Sequence, residues 1–146
     1  MTDPDHIFNW RRLDHRVTTS GQPREAELAE IAALGVRHVI NLGLHTHPRA
    51  LANEAASVAA QGMDYIHIPV DFGNPPARDF ERFKTEFMAL EDQPVHVHCI
   101  ANYRVSAFFY RYRRVVLGMT AAEAQPDLIA IWRPDAVWTA FIESDG

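Results

Sequence analysis

The sequence has few of the features that mark a secreted, membrane-bound or nucleic-acid-binding protein. It contains one cysteine, which excludes an internal disulfide framework and fits a reducing, cytoplasmic location. Its 19 acidic residues outnumber the 14 basic ones, so no general basic field is available to hold nucleic acid or an anionic membrane. No apolar run approaches the roughly 20 residues that span a bilayer, and the polar start shows no signal peptide. Any anion-binding site must therefore be local.

What is present is a regular alternation of strand-like and helix-like segments. Strands are predicted over residues 16–20, 36–42 and 65–70 and from residue 95, with helical connections long enough to join parallel strands. The alternation predicts a three-layer α/β fold, in which helices flank a central, mostly parallel sheet of four or five strands. Residues 1–15 are predicted as a loose polar lead-in and residues 16–146 as a single domain.

The carboxyl ends of the predicted strands mark the expected position of a site. In open parallel sheets, ligands bind beyond these ends. The loops that follow Leu42, Val70 and Cys99 are therefore expected to share one crevice. Pro69 predicts that its strand ends there or lies at a sheet edge. Thr120 and Glu123 form a capping-box pattern at the start of a later helix.

The only cysteine stands where a buried strand meets a long helix, predicted over residues 104–117. The helix dipole and the free N–H groups of the first helical turn stabilise negative charge, whether of a thiolate or of a bound oxyanion. A cysteine is otherwise often a small buried hydrophobe. The polar Asn102 and Arg104 that follow Cys99 favour the functional interpretation.

Four residues around Cys99 could support an anion site. Arg104 is poorly placed for the positive end of the helix dipole unless an anion lies nearby; the alternative is a pair with a surface carboxylate. Asn102 tolerates the left-handed backbone region that a tight turn requires. Ser106 could donate a hydrogen bond to the cysteine sulfur or have no role. His98 should point away from Cys99 across the strand, and is expected to orient the loop.

Two aspartates compete for the role of general acid, and two histidines raise the question of a metal. Asp71 follows a strand whose end should neighbour the cysteine, and it is preferred over Asp79, which falls in a helical first turn. A simple loop-capping role for Asp71 is the alternative. His45 and His47 with Glu54 lack a ligand spacing typical of metal sites, so no metal is predicted. The two histidines are expected to line the mouth of the crevice.

His98-Cys99 followed by Arg104 and Ser106 resembles the phosphate-binding loop of protein tyrosine phosphatases. Four further segments support the resemblance: Thr-Ser-Gly-Gln-Pro at 19–23, Val-Ile-Asn-Leu at 39–42, Ile-Pro-Val at 68–70 and Ile-Trp-Arg-Pro at 131–134. Together they resemble the small bacterial protein tyrosine/dual-specificity phosphatase-like family over residues 16–142. The phosphatase signature has five residues between cysteine and arginine, whereas four intervene here. One helical residue is about 100° of rotation, so Arg104 cannot reach a phosphoryl group in the usual way unless the loop is reshaped.

The resemblance implies covalent hydrolysis of phosphate monoesters, without a cofactor or metal. Cys99 would attack phosphorus and Asp71 would protonate the leaving oxygen and then activate water. The groups implied to hold the phosphoryl oxygens are the Arg104 side chain and the N–H groups of Ile100, Ala101, Asn102, Tyr103 and Arg104. The expected partner is a phosphorylated substrate or an oxyanion such as phosphate or sulfate.

Two other functions remain open at this stage. Rhodanese-type sulfurtransferases also carry a cysteine at a strand end with four residues before an arginine; Cys99 would then hold a persulfide and Asp71 would have no role. A phosphate-binding pseudophosphatase without turnover is the second alternative. Ser-Gly-Gln-Pro at 20–23 and Ile-Pro-Val-Asp at 68–71 favour the phosphatase.

Overall fold

The structure of the protein, a computed structural model, describes residues 2–144. Within that range, five strands form one sheet: β1 (Arg11–Arg12), β2 (Val17–Ser20), β3 (His38–Asn41), β4 (Asp64–His67) and β5 (Val95–His98). Their order across the sheet is β1-β2-β5-β3-β4. β1 is antiparallel to β2, and the other pairs are parallel. β5 therefore lies at the centre with a parallel neighbour on each side.

Helices cover both faces of this sheet. Their bounds are α1 (Glu25–Ala33), α2 (Glu54–Ala60), α3 (Ala77–Ala89), α4 (Tyr103–Val115), α5 (Ala121–Ile129) and α6 (Ala136–Glu143). Successive strand residues point to opposite faces, and in β3 Val39 and Ile40 enter different hydrophobic clusters. Val39 packs with Leu28 of α1 and Val58 of α2, whereas Ile40 shares a larger cluster with Phe83 of α3. The predicted α/β architecture is confirmed.

The strands are shorter than the sequence pattern predicts. β3 covers residues 38–41 rather than 36–42, and β4 ends at His67. Pro69 cannot donate a hydrogen bond to a ladder, and β4 lies at the sheet edge as this proline predicts. The capping box between Thr120 and Glu123 is formed at the start of α5. No helix within residues 2–144 is long and apolar enough to span a membrane.

The prediction of a loose lead-in before residue 16 is wrong for residues 7–12, which pack against the rest of the chain. Ile7 is 3% exposed and joins the hydrophobic cluster of α1 and α2. Residues 11–12 form β1, and Arg11 Nε donates to Asp127 of α5 at 2.7 Å. A two-residue strand is too short to show the alternation on which strand prediction depends.

Candidate active site

Cys99 directly follows the central strand of the sheet. The last residue of that strand, His98, is in register with Ser20 of β2 and Asn41 of β3. The carboxyl ends of three parallel strands therefore meet beside Cys99, which is fully buried and belongs to the larger hydrophobic cluster. α4 begins only four residues later, at Tyr103. Residues 99–104, called the cysteine loop below, connect the sheet centre to a helix N-terminus.

The backbone carbonyl groups of the cysteine loop are hydrogen-bonded, whereas its N–H groups are not. The carbonyl bonds are His98 Nδ1 to Cys99 O (3.0 Å), Gln22 N to Ile100 O (3.0 Å) and Asn9 Nδ2 to Ala101 O (2.9 Å). The N–H groups of residues 100–105 have no acceptor within the described part of the chain. Six consecutive donors are therefore left at a helix N-terminus, which is a favourable position for an anion.

Two glycines allow neighbouring turns to approach the cysteine loop closely. A Cβ atom on Gly21 would lie 2.5 Å from Ile100 O and 3.2 Å from Ala101 Cα. A Cβ atom on Gly43 would lie 3.2 Å from Ile100 Cδ1 and 3.5 Å from the carbonyl carbon of Cys99. The turns after β2 and β3 thus pack their backbones directly against the loop, and at position 21 a side chain would displace it.

Asn102 turns the loop into α4 through the left-handed conformation, with a φ of 67°. This confirms the prediction that asparagine serves the tight turn here. Its Nδ2 atom also donates to Asn9 O at 2.9 Å and to Thr19 Oγ1 at 3.0 Å. A glycine would adopt the same turn but would lose both bonds, so Asn102 also ties the loop to β2 and to the N-terminal segment.

Arg104 joins the loops that were expected to share a crevice. Its NH1 atom donates to Val70 O at 3.0 Å and approaches Leu42 O at 3.5 Å, and its guanidinium carbon lies 5.5 Å from the centre of the Phe72 ring. The residue is 7% exposed, and Nε is buried without a hydrogen-bond partner. The interpretation of Arg104 as the partner of a surface carboxylate is therefore wrong. A buried cation with an unused donor is typical of a site for an anionic ligand.

Asp71 lies between two residues that contact Arg104. Val70 precedes it, and Phe72 follows it with a backbone carbonyl that accepts from Trp138 Nε1 at 2.8 Å. The Asp71 carboxylate is exposed and accepts from the N–H group of Gly73 at 2.9 Å, so it also caps its loop. Asp71 is therefore held next to the Arg104 contacts by its two chain neighbours, and the described contact of its carboxylate is the bond from Gly73.

The competing carboxylate, Asp79, lies in the first turn of α3. Burial raises the pKa of Asp79, and the nearby Arg78 and Arg82 act in the opposite direction. Its backbone N–H donates to the carbonyl of Pro76, the N-cap residue of the same helix. No described contact connects Asp79 to the cysteine loop, whereas Asp71 is linked to it through both of its neighbours.

A buried pair behind the loop was missed by sequence reasoning. His98 Nε2 is 2.6 Å from Glu54 Oε2, and both side chains are at most 1% exposed. The other Glu54 oxygen accepts from Gln22 Nε2 at 2.9 Å. Burial raises the pKa of Glu54, but the charge and hydrogen bond of His98 and the Gln22 amide outweigh it and leave this pKa below its usual value. The bond from His98 to the Cys99 carbonyl agrees with the predicted orienting position of the histidine.

The hydroxyl of Ser106 does not serve the cysteine sulfur. It donates to Tyr103 O at 3.1 Å and accepts from Trp132 Nε1 at 3.1 Å. A hydroxyl has a single proton, and the Tyr103 carbonyl takes it. The hypothesis of a Ser106–sulfur bond is therefore wrong in this structure. Ser106 instead fastens Trp132, whose ring stacks on Tyr103 with the ring centres 4.4 Å apart.

The two loop histidines and Glu54 do not converge. No group of three or more His, Cys, Asp or Glu side chains in the described residues is placed to hold a metal ion. His45 stacks on His67 at 3.7 Å and bonds to the Tyr65 hydroxyl at 2.8 Å, while His47 accepts from the backbone N–H of Arg49. His67 Nε2 in turn donates to Gly43 O at 2.6 Å.

The cysteine loop lies within the part of the chain that matches a known protein family. The profile of the family described as "Beta-lactamase hydrolase-like protein, phosphatase-like domain" matches residues 9–111, which include the whole cysteine loop. The chain belongs to this phosphatase-like family. A curated relative, the Beta-lactamase hydrolase-like protein of Agrobacterium fabrum (strain C58 / ATCC 33970), is 30% identical over 101 residues. That match covers 67% of this chain but only 23% of the relative, so the chain spans less than a quarter of that protein.

Solved structures agree with the family. A DUF442 candidate phosphatase from Shewanella putrefaciens CN-32 superposes with a TM-score of 0.83 and 32% identity, over 94% of this chain and 90% of that chain. The P. aeruginosa protein TpbA, in complex with phosphotyrosine, gives a TM-score of 0.74 at 17% identity, over 94% of this chain and 84% of its own. The second likeness shows the fold alone. The fold is that of the cysteine-based tyrosine phosphatase-like proteins, and family and fold together support a phosphatase function.

Proposed function

We propose that this member of the phosphatase-like family hydrolyses phosphate monoesters through a phosphocysteine intermediate on Cys99. The observation that carries the proposal is the polarity of the cysteine loop. Its carbonyl groups are bonded away, while six consecutive N–H groups and the buried Arg104 Nε have no acceptor among the described residues. A phosphoryl group carries oxygens that would accept from all of these donors.

The reaction balances in two displacements. The Cys99 thiolate attacks phosphorus, the S–P bond forms, and the P–O bond to the leaving group breaks as the Asp71 carboxyl gives its proton to the leaving oxygen. A water molecule then attacks phosphorus while the Asp71 carboxylate takes a proton from it. The S–P bond breaks, inorganic phosphate departs, and the thiolate is restored with no cofactor consumed.

Different observations support the roles of Cys99, Arg104 and Asp71 in this scheme. For Cys99 they are its position after the central strand and at a helix N-terminus. For Arg104 the support is its buried guanidinium with an unused donor. Because only four residues separate Arg104 from Cys99, the rate of turnover must also be measured. For Asp71 the support is the pair of neighbours, Val70 and Phe72, that contact Arg104. TpbA, a fold neighbour, binds phosphotyrosine, which suggests an aryl phosphate as the first substrate to test.

The direct test combines hydrolysis of p-nitrophenyl phosphate with mass spectrometry of acid-quenched enzyme. We expect turnover by the wild type, a phosphate adduct on the only cysteine, and loss of both in Cys99→Ser. Asp71→Asn should slow hydrolysis of alkyl phosphates by about 10²-fold or more, because a poor leaving group needs its proton. Asp79→Asn is the matched control and should stay close to wild type. Turnover that survives Cys99→Ser would refute the covalent route.

One observation favours a second candidate, a phosphate-binding module without turnover. Cys99 is fully buried within the hydrophobic cluster rather than open to solvent. This candidate predicts that inorganic phosphate raises the melting temperature while no phosphocysteine forms with any ester.

A parallel assay of sulfur transfer from thiosulfate to cyanide tests the rhodanese-type alternative. Activity in that assay alone would replace the phosphatase proposal. The cytoplasmic location remains a prediction from the single cysteine.

A further inference from the structure

Two buried histidines on the central strand differ in what surrounds them. His96 and His98 are both fully buried, and their ring centres are 6.2 Å apart. His96 is bonded to two hydroxyl groups, of Thr18 and Ser20, each at 2.8 Å. His98 is bonded to a backbone carbonyl and to a carboxylate. Hydroxyl groups can donate or accept, whereas the two partners of His98 can only accept unless the carboxyl is protonated.

Counting protons gives His96 a neutral ring. The Ser20 hydroxyl donates its one proton to Gly21 O at 2.6 Å, so it must accept from His96 Nε2. The Thr18 hydroxyl then donates to the lone pair of Nδ1, and both ring nitrogens are satisfied with one ring proton. Burial also holds the pKa of His96 well below its usual range, and the charge of His98 adds to this effect.

The hydrogen bonds of the His98–Glu54 pair require two protons, one more than the neutral His96 ring carries. Cys99 O can only accept, so His98 Nδ1 must carry a proton. The bond between His98 Nε2 and Glu54 Oε2 needs a second proton, on the ring or on the carboxyl. The Gln22 amide donates to the other carboxyl oxygen, and a hydrogen bond of this kind stabilises the charged form of a carboxyl group. This bond favours an ionised carboxylate and therefore a doubly protonated imidazole.

We propose that Glu54 is a positioning residue of the cysteine site: its carboxylate keeps His98 as an imidazolium, which anchors the Cys99 carbonyl and stabilises the Cys99 thiolate. This role of Glu54 rests on the proposed function in one respect: that function gives the stabilised thiolate a use in catalysis. The positive charge sits on the residue next to Cys99 and is buried with it, where solvent screens charges least. Glu54 acts through His98 and has no contact with a substrate in this scheme.

The remaining titratable groups near the pair come from two other elements. On β4, His67 and Tyr65 lie within electrostatic reach of Glu54; burial lowers the pKa of His67 and raises that of Tyr65 above its usual value. On the loop after β3, the exposed His45 lies within reach of Glu54 as well. None of these three side chains is hydrogen-bonded to His98 or Glu54 among the described contacts, so Glu54 is the titratable group that acts on the His98 ring directly.

The test titrates the thiol and needs no phosphatase turnover. The protein has one cysteine, so the rate of alkylation by iodoacetamide as a function of pH reports on Cys99 alone. In Glu54→Gln the amide can still bond to His98 without charge, and we expect the midpoint of the profile to rise by about one pH unit or more. Glu27→Gln is the matched control, since Glu27 is another buried carboxylate, paired with Arg24 on α1, and its profile should not move.

Two further measurements test the proposal even if Glu54→Gln fails to fold. His98→Asn should raise the midpoint like Glu54→Gln, and the double variant should add nothing, because Glu54 acts through the histidine. In the wild type, nitrogen NMR of the His98 ring at neutral pH should show an imidazolium. A folded Glu54→Gln protein with an unchanged midpoint, additive shifts, or a neutral His98 ring would each overturn the proposal. Absence of phosphatase activity with these shifts intact would count against the proposed function alone.

Discussion

The two halves of the cysteine loop's surroundings are built differently. On one side are the carbonyl contacts, made by Asn9, Gln22 and His98, in which every loop acceptor from residue 99 to 101 has a donor at 3.0 Å or less. On the other is the Arg104 corner, made by Arg104, Val70 and Phe72, in which one bond is 3.5 Å long and a buried donor is unused. The carbonyl contacts fix the shape of the loop. The Arg104 corner leaves hydrogen-bonding capacity for something that is not protein.

This contrast suggests where stability and function separate. Removing a group from a fully bonded framework leaves buried partners unsatisfied and costs stability. Removing Arg104 also removes the cost of burying a charge whose hydrogen bonds are only partly made, which offsets part of the stability lost when Val70 O and Leu42 O lose their donor. The following changes test this division, beginning with the largest expected effect.

Arg104→Ala should separate function from stability most clearly. We expect phosphate ester hydrolysis to fall by about 10²–10³-fold, because a donor to the transferring phosphoryl group is lost. The rise in melting temperature on adding inorganic phosphate should also disappear, while the free energy of unfolding without phosphate stays close to the wild-type value. Arg82→Ala, at an exposed position of α3, is the matched control. A large loss of stability in Arg104→Ala would show that the Arg104 corner is structural.

Gly21→Ala should do the reverse and damage the carbonyl contacts. The new Cβ would lie 2.5 Å from Ile100 O, where the loop backbone must move. We expect the free energy of unfolding in urea to fall by about 1–3 kcal/mol, the usual cost of overpacking. Gly73→Ala is the control, because its Cβ would meet only Asp71 Oδ1 at an ordinary 3.6 Å. Equal stabilities of the two variants would mean that the loop is more deformable than these contacts indicate.

The neutral His96 should give stability a defined pH dependence. The pKa of His96 in the folded protein lies below the unfolded value of about 6.5, so the unfolded chain binds the additional proton as pH falls through that value. The free energy of unfolding should therefore decrease below about pH 6.5, by at most about 1.4 kcal/mol per pH unit from this residue. In His96→Gln the decrease in the free energy of unfolding between pH 7 and about pH 5.5 should be smaller by about 1 kcal/mol, because the variant lacks this proton uptake.

Comparing two pH values within each variant removes the fixed cost of the His96→Gln substitution. His67, whose pKa burial also lowers, contributes in the same direction to both proteins and cancels in the comparison. Urea unfolding at the two pH values is the measurement. An equal decrease in wild type and variant would mean that His96 is not the group that takes up the proton.

The features that the sequence predicts correctly are those that depend on neighbours along the chain. The strand before Cys99, the helix after it and the left-handed turn at Asn102 all follow from a few adjacent residues. The crevice at the strand ends followed from topology, and Arg104 contacts the carbonyls of Leu42 and Val70, directly before two of the loops that were expected to share it. The three-layer sheet followed from the alternation of patterns, because short parallel strands need helical connections.

The features that it misses depend on contacts between distant parts of the chain. Glu54 lies 44 residues from His98, and in the sequence it stood beside two histidines that suggested a metal rather than a buried pair. Asn9 lies 92 residues from Ala101, within a segment whose polar composition favoured a loose lead-in. The role of Ser106 was open because the direction of a hydroxyl proton depends on which acceptor packing brings near, here the Tyr103 carbonyl.

The position of β5 has a consequence for the order in which the protein forms. Among residues 2–144 it is the last strand along the chain but the central one in the sheet, so β1–β2 and β3–β4 share no ladder until β5 is placed between them. Contacts of such long sequence separation form late in folding, because a large loop must close first. We expect pulsed hydrogen exchange during refolding to show protection of residues 95–98 and closure of the cysteine loop in one phase. The segment that carries the candidate nucleophile would then also be the one that completes the sheet, and a chain that had not finished folding would have no site.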